Sequence, residues 1–307
     1  MSGPRPPLPR RILEGSAYWI YQGTAALVQR LPHRLTYAGA VLLGELAYLS
    51  WAGRRRITKA NFAVVLGLPK DHPDVARVAR RTFRNFAKYV TEIMRFPKLG
   101  VDDFTRLVRL QGWEHFTEGL ARKRGVIFVS IHFGNFDLGG ARVANDVKLN
   151  VIADDLTNQR LMDLLVGNRS HKNITIHSPV GAAKKVLGAL RRNEMVGLMM
   201  DLGPRAEAFG NVEVSFFGRP TKFPSVAANL ARVSGAPIVV SAVVRERDNT
   251  FRGIALPLIV VERTREATQD VERATQAIVT GLERFVREWP DQWYIFRPMW
   301  PATRPGG

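Results

Sequence analysis

Residues 130–140 read SIHFGNFDLGG, placing a histidine, His132, five positions before an aspartate, Asp137. A neutral imidazole titrates near neutrality, so it can accept a proton from an attacking hydroxyl and return it to a leaving group. A carboxylate on the other ring nitrogen fixes the tautomer and stabilises the imidazolium as it forms. Gly134 permits a tight backbone turn between the two residues. A helix beginning near Asp137 would offer its first-turn N–H groups to a developing negative charge. The spacing therefore suits a general base and its orienting acid.

Two other readings compete. A histidine beside a strand is often a structural residue with satisfied hydrogen bonds. A metal ligand is the other, since GNFD is one residue away from a Gly-Asn-His-Asp segment of binuclear metallophosphoesterases. Phe136 stands where that ligand histidine would be, however, and His33, His72, His115, His171 and His177 form no ligand spacing. No metal is expected. No G-x-G-x-x-G follows the apolar run, which excludes a dinucleotide loop of that type, and no G-x-S-x-G supplies a serine nucleophile.

The elements that must position His132 are legible around it. Apolar runs at 126–131, 150–154, 174–177, 196–201, 236–244 and 254–261 predict strands. They alternate with predicted helices near 137–146, 157–170, 180–193, 224–234 and 269–288. This order predicts a mixed α/β fold with a largely parallel central sheet flanked by helices. Ligands of such sheets bind beyond the carboxyl ends of the strands, where His132 falls.

The first hundred residues differ. They hold 17 Lys/Arg against 5 Asp/Glu, in a chain whose net charge is +18. Between 75 and 96, Val75, Val78, Ala79, Phe83, Phe86, Val90 and Ile93 recur every three or four positions, predicting an amphipathic helix. Basic residues interleaved with large apolar ones favour an anionic membrane surface as partner, and no nucleic acid is expected. Residues 35–53 approach the length of a spanning helix, but Glu45 at their centre is costly in hydrocarbon. Peripheral or monotopic attachment is therefore expected ahead of a true span. The predicted organisation is a flexible tail (1–10), an N-terminal helical, membrane-binding region (11–100), and an α/β core (101–307). The chain has no cysteine, which excludes thiolate catalysis and disulfides.

The His-x4-Asp segment is one of several motifs that point the same way. Asp201 precedes VEVSFFGRPTKFP (212–224); LARVSGAPIVV follows at 230–240, and WPDQWYIFRPMW at 289–300. With these motifs the chain resembles the glycerolipid and glycolipid acyltransferases, and more closely the branch of lipid A late acyltransferases and phosphatidylinositol mannoside acyltransferases. The resemblance implies acyl transfer from acyl-CoA or acyl carrier protein, as co-substrate and not cofactor, to a lipid acceptor, without an acyl-enzyme. It implies His132 as base, Asp137 as its partner, and Gly134, Asn135 or nearby N–H groups as oxyanion donors. Asp201 is then either a third group of the cleft or a cap of the segment after it. Asp154 and Arg169 match an acid–arginine pair that shapes the mannoside site, and Phe216 and Phe217 would line an acyl-chain entry or be plain core. Trp289, Trp293, Tyr294 and Trp300 read as packing, and Arg297 as part of a basic rim. Lipid A enzymes usually carry glutamate at the position of Asp137, whereas GNFD is closer to the mannoside form and favours acyl-CoA. The expected location is the cytoplasmic face of the inner (plasma) membrane. A binding protein with a structural His132 and a thioester hydrolase on the same scaffold are the alternatives.

Overall fold

The computed structural model describes residues 8–152, 173–178, 181–201 and 210–300. Four helices come first: α1 (Leu8–Arg30), α2 (His33–Ser50), α3 (Ala52–Leu66) and α4 (Pro73–Arg95). Residues 8–10 of the expected tail thus belong to α1, and residues 1–7 lie outside the described residues. His72 caps α4, its ring nitrogen accepting the Asp74 N–H, with Pro73 at the first helical position.

The expected apolar stripe on α4 is buried in its first half, at Val75, Ala79 and Phe83. Toward the C-terminal end Phe86, Val90 and Ile93 are half-buried, and the fully buried positions become Thr91 and Glu92. Glu45, the charge inside the candidate span, faces α4 and pairs with Arg80 and Arg84. Beside it Gly44 lets the helices touch: a Cβ there would sit 2.7 Å from the Arg84 Cα. Among the described residues no helix is long and apolar enough to cross a membrane.

Short helices and strands follow: α5 (Val101–Leu107), β1 (Val108–Gln111), α6 (Trp113–Ala121), β2 (Val126–Ser130), α7 (Phe136–Ala144), β3 (Leu149–Ile152) and β4 (Ile174–His177). Then come α8 (Ala182–Arg191), β5 (Met195–Met199), the hairpin β6 (Asn211–Phe216) and β7 (Arg219–Pro224), and α9 (Val226–Ser234). The last are β8 (Ile238–Arg245), β9 (Phe251–Ala255) and α10 (Ala267–Glu288). Among the described residues, seven strands form one sheet in the order β1-β9-β8-β2-β5-β3-β4. The run β8-β2-β5-β3-β4 is parallel, and β9 turns back antiparallel to β8. The largely parallel sheet flanked by helices is the fold the alternation predicted.

Central β2 is buried on both faces, as parallel strands between helices must be. Ile127, Val129 and Ile131 join the large core toward α8, α9 and α10, whereas Val126 and Phe128 face the smaller cluster with Phe116 of α6. Gly197 of β5 makes room for the Phe128 ring, whose nearest atom would be 2.6 Å from an added Cβ.

Three elements depart from expectation. The last predicted strand, 254–261, forms instead at 251–255, because β8 runs on to Arg245 and the turn brings Phe251 back against it. Strand β1, whose sequence VRLQ is only four residues long, is held by pairing with β9. The hairpin β6–β7 folds back at Phe217 and Gly218, both at positive φ. The helix expected at 157–170 lies outside the described residues.

Candidate active site

Strands β2 and β5 run side by side with Ser130 level with Met199. Two residues beyond that register lie His132 on one strand end and Asp201 on the other. Their side chains meet: His132 Nδ1 is 2.7 Å from Asp201 Oδ1, and the His132 backbone N–H donates to Asp201 Oδ2 at 3.1 Å. The Trp293 indole N–H donates to that same Oδ2 at 3.1 Å. Asp201 is buried, at 1% side-chain exposure, while 38% of the His132 side chain remains open.

The electrostatics follow from this enclosure. Burial alone would push the Asp201 carboxyl up, but the adjoining imidazole and the backbone N–H together hold it below the usual aspartate range. Burial likewise opposes a charged His132, yet the Asp201 carboxylate outweighs it and raises the imidazole above its ordinary value. An ionised carboxylate can only accept, so Nδ1 carries the proton and Nε2 on the opposite edge is the acceptor. The imidazole is thus held in one tautomer by a buried carboxylate, with part of its side chain exposed.

The loop after β2 is clamped from two directions. Tyr294 N–H donates to His132 O at 2.8 Å and Gly134 N–H to Gln292 O at 2.9 Å, so the C-terminal segment pairs with it like a short strand. Gly134 has φ +54°, and a Cβ there would lie 1.7 Å from the Val243 carbonyl oxygen. No other residue fits that turn.

Asn135 is completely buried and caps α7. Its Oδ1 accepts the Leu138 N–H at 3.0 Å and its Nδ2 donates to Glu92 Oε2 at 2.7 Å. Both ends of its amide are thus engaged in positioning the loop, and the Gly134 N–H is likewise occupied by Gln292. Asp137, also buried, accepts the Tyr89 hydroxyl of α4 at 2.7 Å. Its charge adds to the elevation of His132, but the carboxylate seated on Nδ1 is that of Asp201.

Glu92 is a second buried acid. It forms an ion pair with Arg245 at the end of β8 (Nη2 to Oε2, 2.9 Å), accepts the Tyr37 hydroxyl of α2 at 2.8 Å, and holds Asn135. Phe136 packs edge-on against the His132 ring, with centroids 5.3 Å apart, and Tyr89 lies 5.0 Å from Phe136.

The remaining sequence candidates lie apart. Phe216 is fully buried against Trp293, Trp300 and Phe223, and so is core. Phe217 sits in the hairpin turn beneath Arg287 of α10. Asp154 and Arg169 lie outside the described residues. Trp293, Glu92 and Arg245 were not singled out as site residues from the sequence. The signal for Glu92 was an acid beside Ile93 on an apolar stripe; for Arg245, the first charge after the run VVSAVV, in the cluster RERD. Among the described residues no group of three or more His, Asp or Glu could hold a metal ion.

A largely parallel α/β sheet carrying an Asp-held histidine at its carboxyl edge has the layout of an α/β enzyme, in which ligands bind at that edge. More specifically, the chain belongs to the bacterial lipid A biosynthesis acyltransferase family, whose model matches residues 9–301. It is similar to the phosphatidylinositol mannoside acyltransferase of Mycobacterium tuberculosis strain H37Rv, with 26% identity over 92% of this chain and 88% of the relative. The enzyme of that name from Mycolicibacterium smegmatis is 24% identical over 90% and 88%. The lipid A biosynthesis lauroyltransferase of Escherichia coli K12 is 26% identical over 94% and 92%. This chain is an acyltransferase.

Proposed function

We propose that the chain moves a fatty acyl group from a thioester, acyl-CoA ahead of acyl carrier protein, to a hydroxyl of a membrane glycolipid or lysophospholipid. A phosphatidylinositol mannoside is the acceptor type favoured by the mycobacterial relatives. The observation that carries the mechanism is the 2.7 Å contact between His132 Nδ1 and the buried Asp201 carboxylate. Nε2 of His132 takes the acceptor hydroxyl's proton while that oxygen attacks the thioester carbonyl. The carbon–sulfur bond then breaks, the imidazolium gives its proton to the departing sulfur, and the products are the ester, the free thiol and neutral His132. Asp201 stabilises the transient imidazolium. Asp137 adds a second negative charge near the ring from its place on α7.

The lipid acceptor is reached at an anionic membrane surface, to which the N-terminal helices attach peripherally. Supporting this, α1 and α2 expose Trp19, Leu35, Leu42, Leu46 and Leu49, with Trp51 following. Arg54 lies over the Trp51 ring and Arg55 over Tyr48 at the end of that apolar face. Apolar insertion flanked by cations is how interfacial helices bind anionic bilayers, and the cytoplasmic face of the inner membrane offers both.

Two measurements test these statements. Radiolabelled palmitoyl-CoA is incubated with phosphatidylinositol mannoside or a lysophospholipid in phosphatidylglycerol-containing vesicles. His132→Ala should lose acyl transfer by about 10²–10⁴-fold while remaining folded. Unchanged transfer would refute the base assignment, and free fatty acid as the sole wild-type product would turn the reading toward a hydrolase. Separately, Leu42→Asp with Leu46→Asp should weaken vesicle cosedimentation by about tenfold or more, given roughly 1.5–3 kcal/mol for each leucine removed from water. Undiminished binding would move the attachment surface elsewhere.

A further inference from the structure

We propose that Trp293 is a positioning residue of the acyl-transfer reaction: its indole N–H is the third donor that fixes the Asp201 carboxylate and so sets the orientation and basicity of His132. The inference rests on His132 being the base. Asp201 has one oxygen on the imidazole and one shared by two donors, the His132 backbone N–H and the Trp293 indole, each at 3.1 Å. Without the indole, both carboxylate oxygens would be held by residue 132 alone, one by its ring and one by its backbone N–H. With it, Oδ2 is also anchored from the C-terminal segment, which ties the carboxylate plane to a second element.

The indole is itself immobile. Trp293 is completely buried, edge-on to Phe62 and perpendicular to Phe216, with centroids 6.4 and 5.7 Å away. The same segment also holds the base's main chain, through the Phe133–Trp293 bridge and the Tyr294 N–H on His132 O. One short stretch thus secures the base by its backbone and the acid by a side chain.

The choice of donor has a chemical logic. Indole N–H is a donor without charge. A lysine or arginine in its place would carry a desolvation cost and would oppose protonation of His132, lowering its basicity. A phenylalanine would leave a buried lone pair unmatched. Tryptophan steadies the carboxylate while leaving most of its negative charge for the imidazole. Among the described residues, the other charges acting on His132 are Asp137 on α7, which raises its basicity, and Arg297 of the C-terminal segment, which lowers it; the Tyr89 hydroxyl bonds to Asp137.

The test compares Trp293→Phe with replacement of Trp293 by benzothienylalanine, which keeps the bicyclic shape and substitutes sulfur for N–H. Full-length protein is assayed with palmitoyl-CoA and phosphatidylinositol mannoside in vesicles across pH, beside His132→Ala. Both replacements should lower kcat about tenfold with KM changed less than twofold, as expected for loss of a hydrogen bond to a charged group. The acidic limb of the kcat profile should move up by about half a pH unit, because a carboxylate short of one donor binds the imidazole's proton more tightly. A wild-type profile and turnover in the benzothienylalanine protein, with His132→Ala inactive, overturns the inference and leaves the base assignment standing, whether or not Trp293→Phe folds. Transfer that survives His132→Ala overturns both.

Discussion

Two buried carboxylates bracket the loop after β2, and they are built for opposite ends. Asp201 sits at the carboxyl edge of β5 and bonds to a histidine whose side chain is partly exposed. Glu92 sits inside α4 and bonds to Arg245, which is as buried as the glutamate itself. Each gathers several donors: His132 twice and Trp293 on one; Arg245, Tyr37 and Asn135 on the other. The difference is the partner's chemistry. Imidazole exchanges its proton near neutrality, whereas guanidinium does not, and here its pairing with Glu92 pushes it higher still. One acid thus pairs with a ring that titrates near neutrality, and the other ties α2, α4, β8 and the loop together with a fixed charge.

The sharpest way to break this comparison is Asp201→Asn. The amide either presents N–H to Nδ1, forcing the wrong tautomer, or accepts from Nδ1 without a charge to stabilise imidazolium. Turnover should fall about 10³-fold or more, comparable to the loss when a triad aspartate becomes asparagine. The acidic limb should move to lower pH, since His132 loses the carboxylate that raises it. Stability gives an independent reading. Asp201's depressed carboxyl contributes stability above its ordinary value of 3.8, lost as pH falls through the folded value. His132's raised imidazole contributes below its ordinary 6.5, lost as pH rises through the folded value. The stability gap between wild type and Asp201→Asn should therefore be widest between about pH 4 and 6.5 and narrow above. Urea unfolding at several pH values checks it, and a gap independent of pH contradicts the pair.

How much of this was legible beforehand depends on chain distance. His132 could be singled out because its neighbours, an apolar strand before and a glycine turn after, are local features with a period and a composition. Asp137 was the natural partner on the same ground. Asp201 is 69 residues away, and only the lateral register of β2 with β5 brings it to Nδ1. A pattern along the chain carries no information about which parallel strand lies alongside, so the residue was visible as an acid at a strand end without its bond being visible. Trp293 was hidden by its type: a tryptophan in WPDQWYIF looks like packing, and it is packing on every face except its N–H. Asn135 and Phe216, read from their motifs as an oxyanion donor and as either acyl-chain entry or core, are both sealed. Strand β1 and the hairpin were missed although VRLQ and VEVSF alternate, because each run is only four to six residues long and is held by pairing with a neighbour.

The Glu92 side of the comparison is sharpened by Arg245→Met. Removing the guanidinium leaves a carboxylate at 6% exposure with only the Tyr37 hydroxyl and the Asn135 amide named among its donors. Breaking one half of a buried pair costs about 3–5 kcal/mol, because the surviving charge stays desolvated without compensation. Thermal unfolding should therefore shift down by several degrees. Adding Glu92→Gln should recover most of that loss, since glutamine is neutral and its oxygen still accepts from Tyr37 or Asn135. Catalysis should respond weakly. Per folded molecule at a permissive temperature, turnover should fall less than about threefold, and the acidic limb should stay in place, because this acid reaches His132 only through Asn135 and the loop. Should Arg245→Met instead abolish turnover or displace the limb while the protein melts at its normal temperature, Glu92 would have to be moved from the framework to the reaction.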